Sequence, residues 1–281
     1  MEDYFCLPFV GTGIQSKLIV DYLSGFEEVT ELVPFSGDFH GIGDALEERE
    51  HTHVNRDALA QVLREQYATV ADAHPAALNH IEALAQDQTY TVTTGHQLVL
   101  FGGPLYFVYK ILHVVALTQR LRLRYPDKQF VPLFWMASED HDLPEVDHLY
   151  VGPTKVQWHA QQSGPVGRMD LRNMEQVRSE LANLLGSGER ARHLLNLFDR
   201  AYLAHNHLAA ATRQLVNDLF GHLGVVALDA DHPALKSLFV PVMERELREE
   251  VVVKAMESTR AFLEENYFVQ VNPRPINLFW M

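Results

Sequence analysis

The sequence predicts an α/β fold: a doubly wound parallel sheet with an N-terminal helical layer and an insertion after the second core strand. Three observations carry that expectation. Residues 89–93 (TYTVT) are β-branched and aromatic, and a glycine-containing turn, a long amphipathic helix and the apolar run 130–136 follow them, which together make a βαβ unit. That run shows no alternation, the pattern of a strand buried on both faces. A third short apolar segment, 224–228, ends in Asp229 and has helical patterns on both sides.

The elements follow in order. Residues 1–50 are glycine-punctuated and read as a leading region that wraps the domain. From 56 to 85 apolar residues recur at helical steps in two stretches, Leu59, Val62 and Leu63, then Leu78, Ile81 and Leu84, broken near His74 and Pro75. After the first strand, Pro104 is suited to the first helical position because it has no N–H to leave unpaired. The helix at 105–123 carries Phe107, Ile111, Val114, Leu117 and Leu121 on one face. Tyr125, Pro126 and Asp127 stop it. Further helices are expected near 191–220 and 234–267. The expected division is an N-terminal wrapping and helical region at 1–85 and a core at 86–281, with a polar insertion at about 151–188 that holds one short strand at 156–159.

The chain has 281 residues, 47% of them hydrophobic and 21% charged, the composition of a globular protein with ample core. Acids outnumber bases 37 to 23, a formal net charge of −14, which disfavours any broad grip on nucleic acid or an anionic membrane. A single cysteine, Cys6, excludes an intrachain disulfide and a cysteine-based zinc cluster, and fits a cytoplasmic location. The N-terminus lacks the pattern of a signal peptide. Residues 98–117 are long and apolar enough to suggest a membrane span, but Gly102, Gly103, Pro104, Lys110 and His113 interrupt them, so a buried helix is expected instead.

Ligands of open parallel sheets sit beyond the carboxyl ends of the strands. Three polar groups fall there: Thr94, Gly95, His96 and Gln97; then Glu139, Asp140, His141 and Asp142; then Asp229 and Asp231. In the first group Gly95 permits close backbone approach, and the Gly102–Gly103 pair could aim N–H groups at an anion, although neither standard phosphate-binding glycine motif is present. A plain tight turn is the competing reading. The second group suits magnesium, manganese or zinc, or general acid–base work; the competing reading is a solvated acidic loop. No HExxH spacing supports a zinc hydrolase, and no metal ligands are assigned. Lys110 either points back to the site or carries its amine to solvent. Arg274 offers a fork suited to a carboxylate or phosphate. His51, His53, His205 and His207 are read as surface histidines, and His113 as partly buried.

The stretches TGHQLVLFGGPLYFVYK (94–110), VPLFWMASEDHDLPEVDH (131–148), LDAD (228–231) and RPINLF (274–279) resemble the bacillithiol biosynthesis cysteine-adding enzymes, a family of cysteine ligases. The resemblance implies addition of L-cysteine to the amine of glucosaminyl-malate, a Rossmann-like core, and a homodimer held by a coiled coil. Forming an amide from a free carboxylate needs activation, and ATP, with Mg, is the hypothesis for activating the cysteine carboxylate. Thr94, Gly95, His96 and Gln97 would then cradle the nucleotide, and Glu139, Asp140, His141 and Asp142 would act on the substrate amines or a magnesium ion. Gly102, Gly103, Tyr106, Lys110, Asp229, Arg274 and Asn277 complete the nucleotide- or substrate-binding set. His96 stands where the family usually has glutamine. Members of the family are nearly twice as long, so a separately encoded C-terminal half, or a fragment with an unpaired sheet edge and no coiled coil, is expected. A metal-dependent hydrolase and a non-catalytic remnant are the alternatives.

Overall fold

A computed structural model describes residues 7–30, 32–270 and 272–278. Cys6 and Phe279 lie outside the described residues. The chain divides into two compact units, residues 55–239, and residues 1–54 with 240–280. The expected boundary at 85 differs from this division because the helices Arg56–Tyr67 and Pro75–Ala83 bury their apolar faces on the sheet and cluster with it.

The larger unit is built on a parallel sheet of order β1-β2-β5, where β1 is Thr89–His96, β2 Gln129–Met136 and β5 Val226–Asp229. β1 and β2 are joined by the helix Leu105–Arg124, as the βαβ pattern requires. β2 alternates between two cores. Phe134 and Met136 enter one cluster with Phe107 and Ile111 of that helix and with the helix Leu208–Phe220. Val131 and Leu133, with Val226 and Leu228 of β5, pack instead under Leu63, Tyr67, Ile81 and Leu84. Both faces of the central strand are therefore supplied with apolar partners, which is why its sequence shows no polar alternation.

The exposed edge of β5 is capped by side chains. Gln66 pairs with the Asp229 backbone in both directions, its Nε2 donating to the carbonyl at 2.7 Å and its Oε1 accepting the N–H at 3.1 Å. The Tyr67 hydroxyl accepts the Ala227 N–H at 2.8 Å. A helix end thus supplies donors and acceptors where another strand would.

Several expected boundaries shift. β1 does not stop at Thr93 but continues through His96, so Thr94, Gly95 and His96 are strand residues and only Gln97 lies beyond. Pro104 is the residue before the helix, with extended ψ, and Leu105 is the first helical one. The insertion holds one strand, β4 (Thr154–Gln157), slightly earlier than the expected 156–159, and it pairs antiparallel with β3 (His148–Val151), which leads into the insertion. Helix Glu189–Phe198 is separated from Leu208–Phe220 by a wider turn at Asp199–Leu203. His113 is exposed, not partly buried. No helix is long and apolar enough, among the described residues, to cross a membrane.

In the smaller unit, Gly41 and Gly43 lie inside the helix Phe39–Glu50, which Asp38 caps by accepting the His40 and Gly41 N–H groups. The helix Val251–Asn266 is set off from Pro233–Glu249 by Glu250, whose φ is +50°. Tyr267 closes this unit by donating its hydroxyl to Asp21 at 2.8 Å.

Candidate active site

Register brings the three polar groups to one rim. His96 of β1 is opposite Met136 of β2, and Met136 is opposite Asp229 of β5, so the three strands end in one row. The residues immediately after each strand therefore share the carboxyl rim, the place where open parallel sheets bind ligands.

The acidic loop is held from several sides. Gln97 donates its amide to Asp140 at 2.8 Å and also to Glu145, tying the end of β1 to the loop after β2. The Asp140 carboxylate further accepts the His141 N–H at 2.7 Å and the Asp142 N–H at 3.1 Å. Partial burial works to raise the Asp140 carboxyl, but these hydrogen bonds outweigh it and hold the group below the usual carboxylate range. Ser138 is buried and donates its hydroxyl to Asp229, whose carboxylate also accepts the Asp231 N–H at 3.0 Å. His141 and Asp142 are exposed at the loop tip.

The insertion reaches the same rim. Val166 N–H donates to the Asp140 carbonyl at 2.7 Å and Gly167 N–H to the Ser138 carbonyl at 2.8 Å. The approach needs glycine: a Cβ on Gly167 would lie 2.5 Å from the Ser138 Cβ. Arg168, next in sequence, forks onto Asp231 at 2.5 and 2.7 Å. Lys236 meets Asp231 at 2.6 Å and Glu139 at 2.7 Å. The Asp231 side chain is only 3% exposed. Burial raises its carboxyl, yet Arg168 and Lys236 more than offset this and keep it below the ordinary range, while Asp231 raises both cations in turn. Behind them Arg213 is buried, 3.8 Å from the Asp229 carboxylate, and burial pushes its guanidinium down.

The remaining expected residues have their own partners. Lys110 points back to the strand end: its Nζ donates to the Gly95 carbonyl and lies 5.0 Å from the Tyr106 ring centre. His96 packs edge-on against Tyr106 and Phe107 at 5.5 and 5.8 Å. Thr94 is half-buried opposite Phe134. Gly102 and Gly103 do not offer their N–H groups to an anion, because the N–H groups donate to the Val99 and Leu100 carbonyls within a tight turn. That turn requires glycine at 103, where φ is +55° and a Cβ would meet the Val99 side chain at 2.4 Å. Arg274 and Asn277 belong to the smaller unit, where Asn277 donates to Glu246 at 3.1 Å and closes a local turn with Arg274. His205 and His207 diverge to Gln214 and the Arg168 carbonyl. Among the described residues no three His, Cys, Asp or Glu side chains converge as a metal-ligating group.

Sequence reasoning missed Gln66, Arg168, Arg213 and Lys236. Arg168 and Lys236 are single basic residues in an irregular turn and a helix start, and no local pattern separates them from surface charges. Arg213 and Gln66 do leave a trace, being polar residues at apolar-facing helical positions, each buried in the structure.

Comparison with known proteins adds the family. Residues 4–281 match the family model described as "Bacillithiol biosynthesis BshC, N-terminal Rossmann-like domain". A protein of Flavobacterium johnsoniae named "Putative cysteine ligase BshC" is 40% identical over 278 residues, 98% of this chain and 52% of that protein. A protein of the same name from Cytophaga hutchinsonii is 40% identical over 267 residues (95% and 49%), and one from Bacillus cereus is 25% identical over 240 (82% and 44%). The chain spans about half the length of these relatives. With its parallel sheet and this match, the chain belongs to the BshC family of bacillithiol biosynthesis, over the stretch of its N-terminal Rossmann-like domain.

Proposed function

We propose that the chain acts in bacillithiol formation as a cysteine ligase, joining the carboxyl carbon of L-cysteine to the amine nitrogen of glucosaminyl-malate. The observation that carries this reading is the single row formed by the ends of β1, β2 and β5, which gathers carboxylates, an imidazole and cations at one rim in a chain of this family. In the reaction a C–N bond forms, the amine gives up a proton, and the carboxyl oxygen leaves with the phosphoryl or adenylyl group that ATP would have placed on it. Asp140, kept ionised by its donors, is suited to hold a substrate ammonium and is a weak proton acceptor. His141, exposed beside it, is the group suited to take the proton from the attacking amine.

The residues described at this rim do not match a glycine-loop phosphate cradle, since the Gly102 and Gly103 N–H groups are already paired. Nor do they match a three-ligand metal site. This chain's own share of the chemistry is to position the two substrates and handle the amine proton. The metal-dependent hydrolase reading gains nothing from this geometry.

Purified protein, with and without a protein carrying the C-terminal half of the family, is incubated with glucosaminyl-malate and L-cysteine, in parallel with and without ATP and Mg²⁺. Mass spectrometry should detect the cysteinylated product in at least one combination, and Asp140→Ala or His141→Ala should abolish it while the circular dichroism spectrum is unchanged. Absence of product in every combination overturns the assignment, and turnover that survives both substitutions overturns the role of the acidic loop.

A further inference from the structure

Trp135 is 46% exposed although it stands on the central strand of a parallel sheet. Such strands are ordinarily covered on both faces, so an open indole there needs a reason. Its face follows from parity: Val131 and Leu133 pack in the cluster beneath Leu63 and Ile81, and Trp135 comes next on that side. The helical cover stops short of it and of β1, where Thr91 and Thr93 on the same face are exposed. Directly beside Trp135 in the ladder is Gly95.

The strand does not require glycine at 95. A Cβ there would meet the Trp135 carbonyl oxygen at 3.5 Å and its Cβ at 3.8 Å, both ordinary contacts. A larger side chain, however, would run alongside the indole and cover it. A strand glycine that packing does not demand marks a place where a ligand comes close. Thr93 shares this face, and Glu139, which follows the end of β2, pairs with the Lys236 ammonium of a helix whose Leu235 packs in the same cluster. An aromatic floor bordered by a hydroxyl and by charges of both signs suits a pyranose ring, whose C–H face rests on the indole while its polar substituents point outward. A nucleobase would need its phosphates held nearby, and the glycine turn has no N–H groups left for them.

We propose that Trp135 and Gly95 form the stacking floor for the amino-sugar ring of the acceptor, with Glu139 receiving the ring's ammonium group. This rests on the ligase reading and adds to it the residues that select the sugar.

The test uses glucosaminyl-malate as the titrant in calorimetry on the wild type and on Gly95→Val, Gly95→Ala and Trp135→Ala, with thermal melts to verify folding and the product assay run on the same preparations. Gly95→Val and Trp135→Ala should each weaken binding of the sugar about tenfold, with a smaller effect for Gly95→Ala and none on L-cysteine binding. Product formed with an unchanged KM for the sugar in both variants overturns the stacking floor and leaves the ligase reading intact. Sugar binding that depends on Trp135, with no product in any combination, upholds the floor and overturns the ligase reading. No sugar binding to the wild type overturns the floor, as does a loss confined to AMP binding, which would assign the indole to a nucleobase.

Discussion

Asp231→Asn removes the one buried charge that two elements share, the turn carrying Arg168 and the helix carrying Lys236. The Asp231 side chain is 3% exposed and takes three contacts of 2.5–2.7 Å. Removing one partner of a fully buried pair costs about 3–5 kcal/mol. Here the stranded cations are 58% and 33% exposed, so water recovers much of their solvation, and the expected loss is about 2 kcal/mol. The pH dependence has a definite sign. Asp231 titrates below its unfolded value, so its contribution is complete above about pH 4 and is lost as the pH falls through the lower folded value. Urea unfolding of the wild type and the variant, at pH 7 and in steps to pH 3, should show the full gap in midpoint at neutrality, an unchanged denaturant slope, and a gap that closes in acid. A gap below about 0.5 kcal/mol at pH 7, or one that persists undiminished at pH 3, refutes the reasoning, since neither fits a buried carboxylate that two cations hold ionised.

The other predictions concern the sheet edge and the seat of the insertion. Gln66→Leu leaves the Asp229 N–H and carbonyl without their side-chain partners and should cost about 2 kcal/mol in urea unfolding, with faster hydrogen exchange at the Asp229 amide. Tyr67 is buried with its phenol pushed up to about 12, so its contribution holds below pH 10 and is lost as the pH rises through the folded value; ultraviolet titration should show a late-ionising tyrosine that Tyr67→Phe removes. Gly167→Ala drives a methyl group against Ser138 and should lower stability by about 2 kcal/mol, with loss of exchange protection at the residue 167 amide.

The parallel sheet was legible because burial leaves a simple mark. β2 has to feed two cores at once, so Phe130, Val131, Leu133, Phe134 and Met136 are all apolar and all buried. The location of the rim was legible too, because polar residues directly after apolar strands are conspicuous. What could not be read were contacts between residues far apart in sequence. Arg168 and Asp231 are 63 positions apart, and Gln66 and Asp229 are 163 apart, and nothing local in either segment announces its partner. The glycine turn misled for a related reason: two adjacent glycines suggested free N–H groups, whereas the chain used them to turn tightly around Val99. β1 extended past its expected end because pairing with Trp135 and Met136 outweighs the weak strand preference of Gly95 and His96.

The acidic loop has an exposed tip at His141 and Asp142 and a tethered base. Its Asp140 takes donors from the end of β1 and from its own backbone, and its carbonyl is fixed by the insertion, so the carboxylate has little freedom left to reorganise. Charge held in place before a ligand arrives is the condition for strong electrostatic action in a partly water-excluded site. Near this rim the carboxylates Glu139, Asp140, Asp142, Glu145, Asp229 and Asp231 face the cations Lys110, Arg168, Arg213 and Lys236, and Arg213 is buried away from solvent. The acids are in surplus, and that surplus is complementary to the ammonium group of a ligand. Both substrates of the proposed reaction carry such a group, beside carboxylates that the rim cations suit. Acidic neighbours favour the protonated amine, so the attacking nitrogen has to lose its proton at the rim itself. That requirement distinguishes two roles that a run of acids alone would leave merged: an ionised carboxylate at Asp140 to hold an ammonium, and a neighbouring imidazole at His141 to accept the proton.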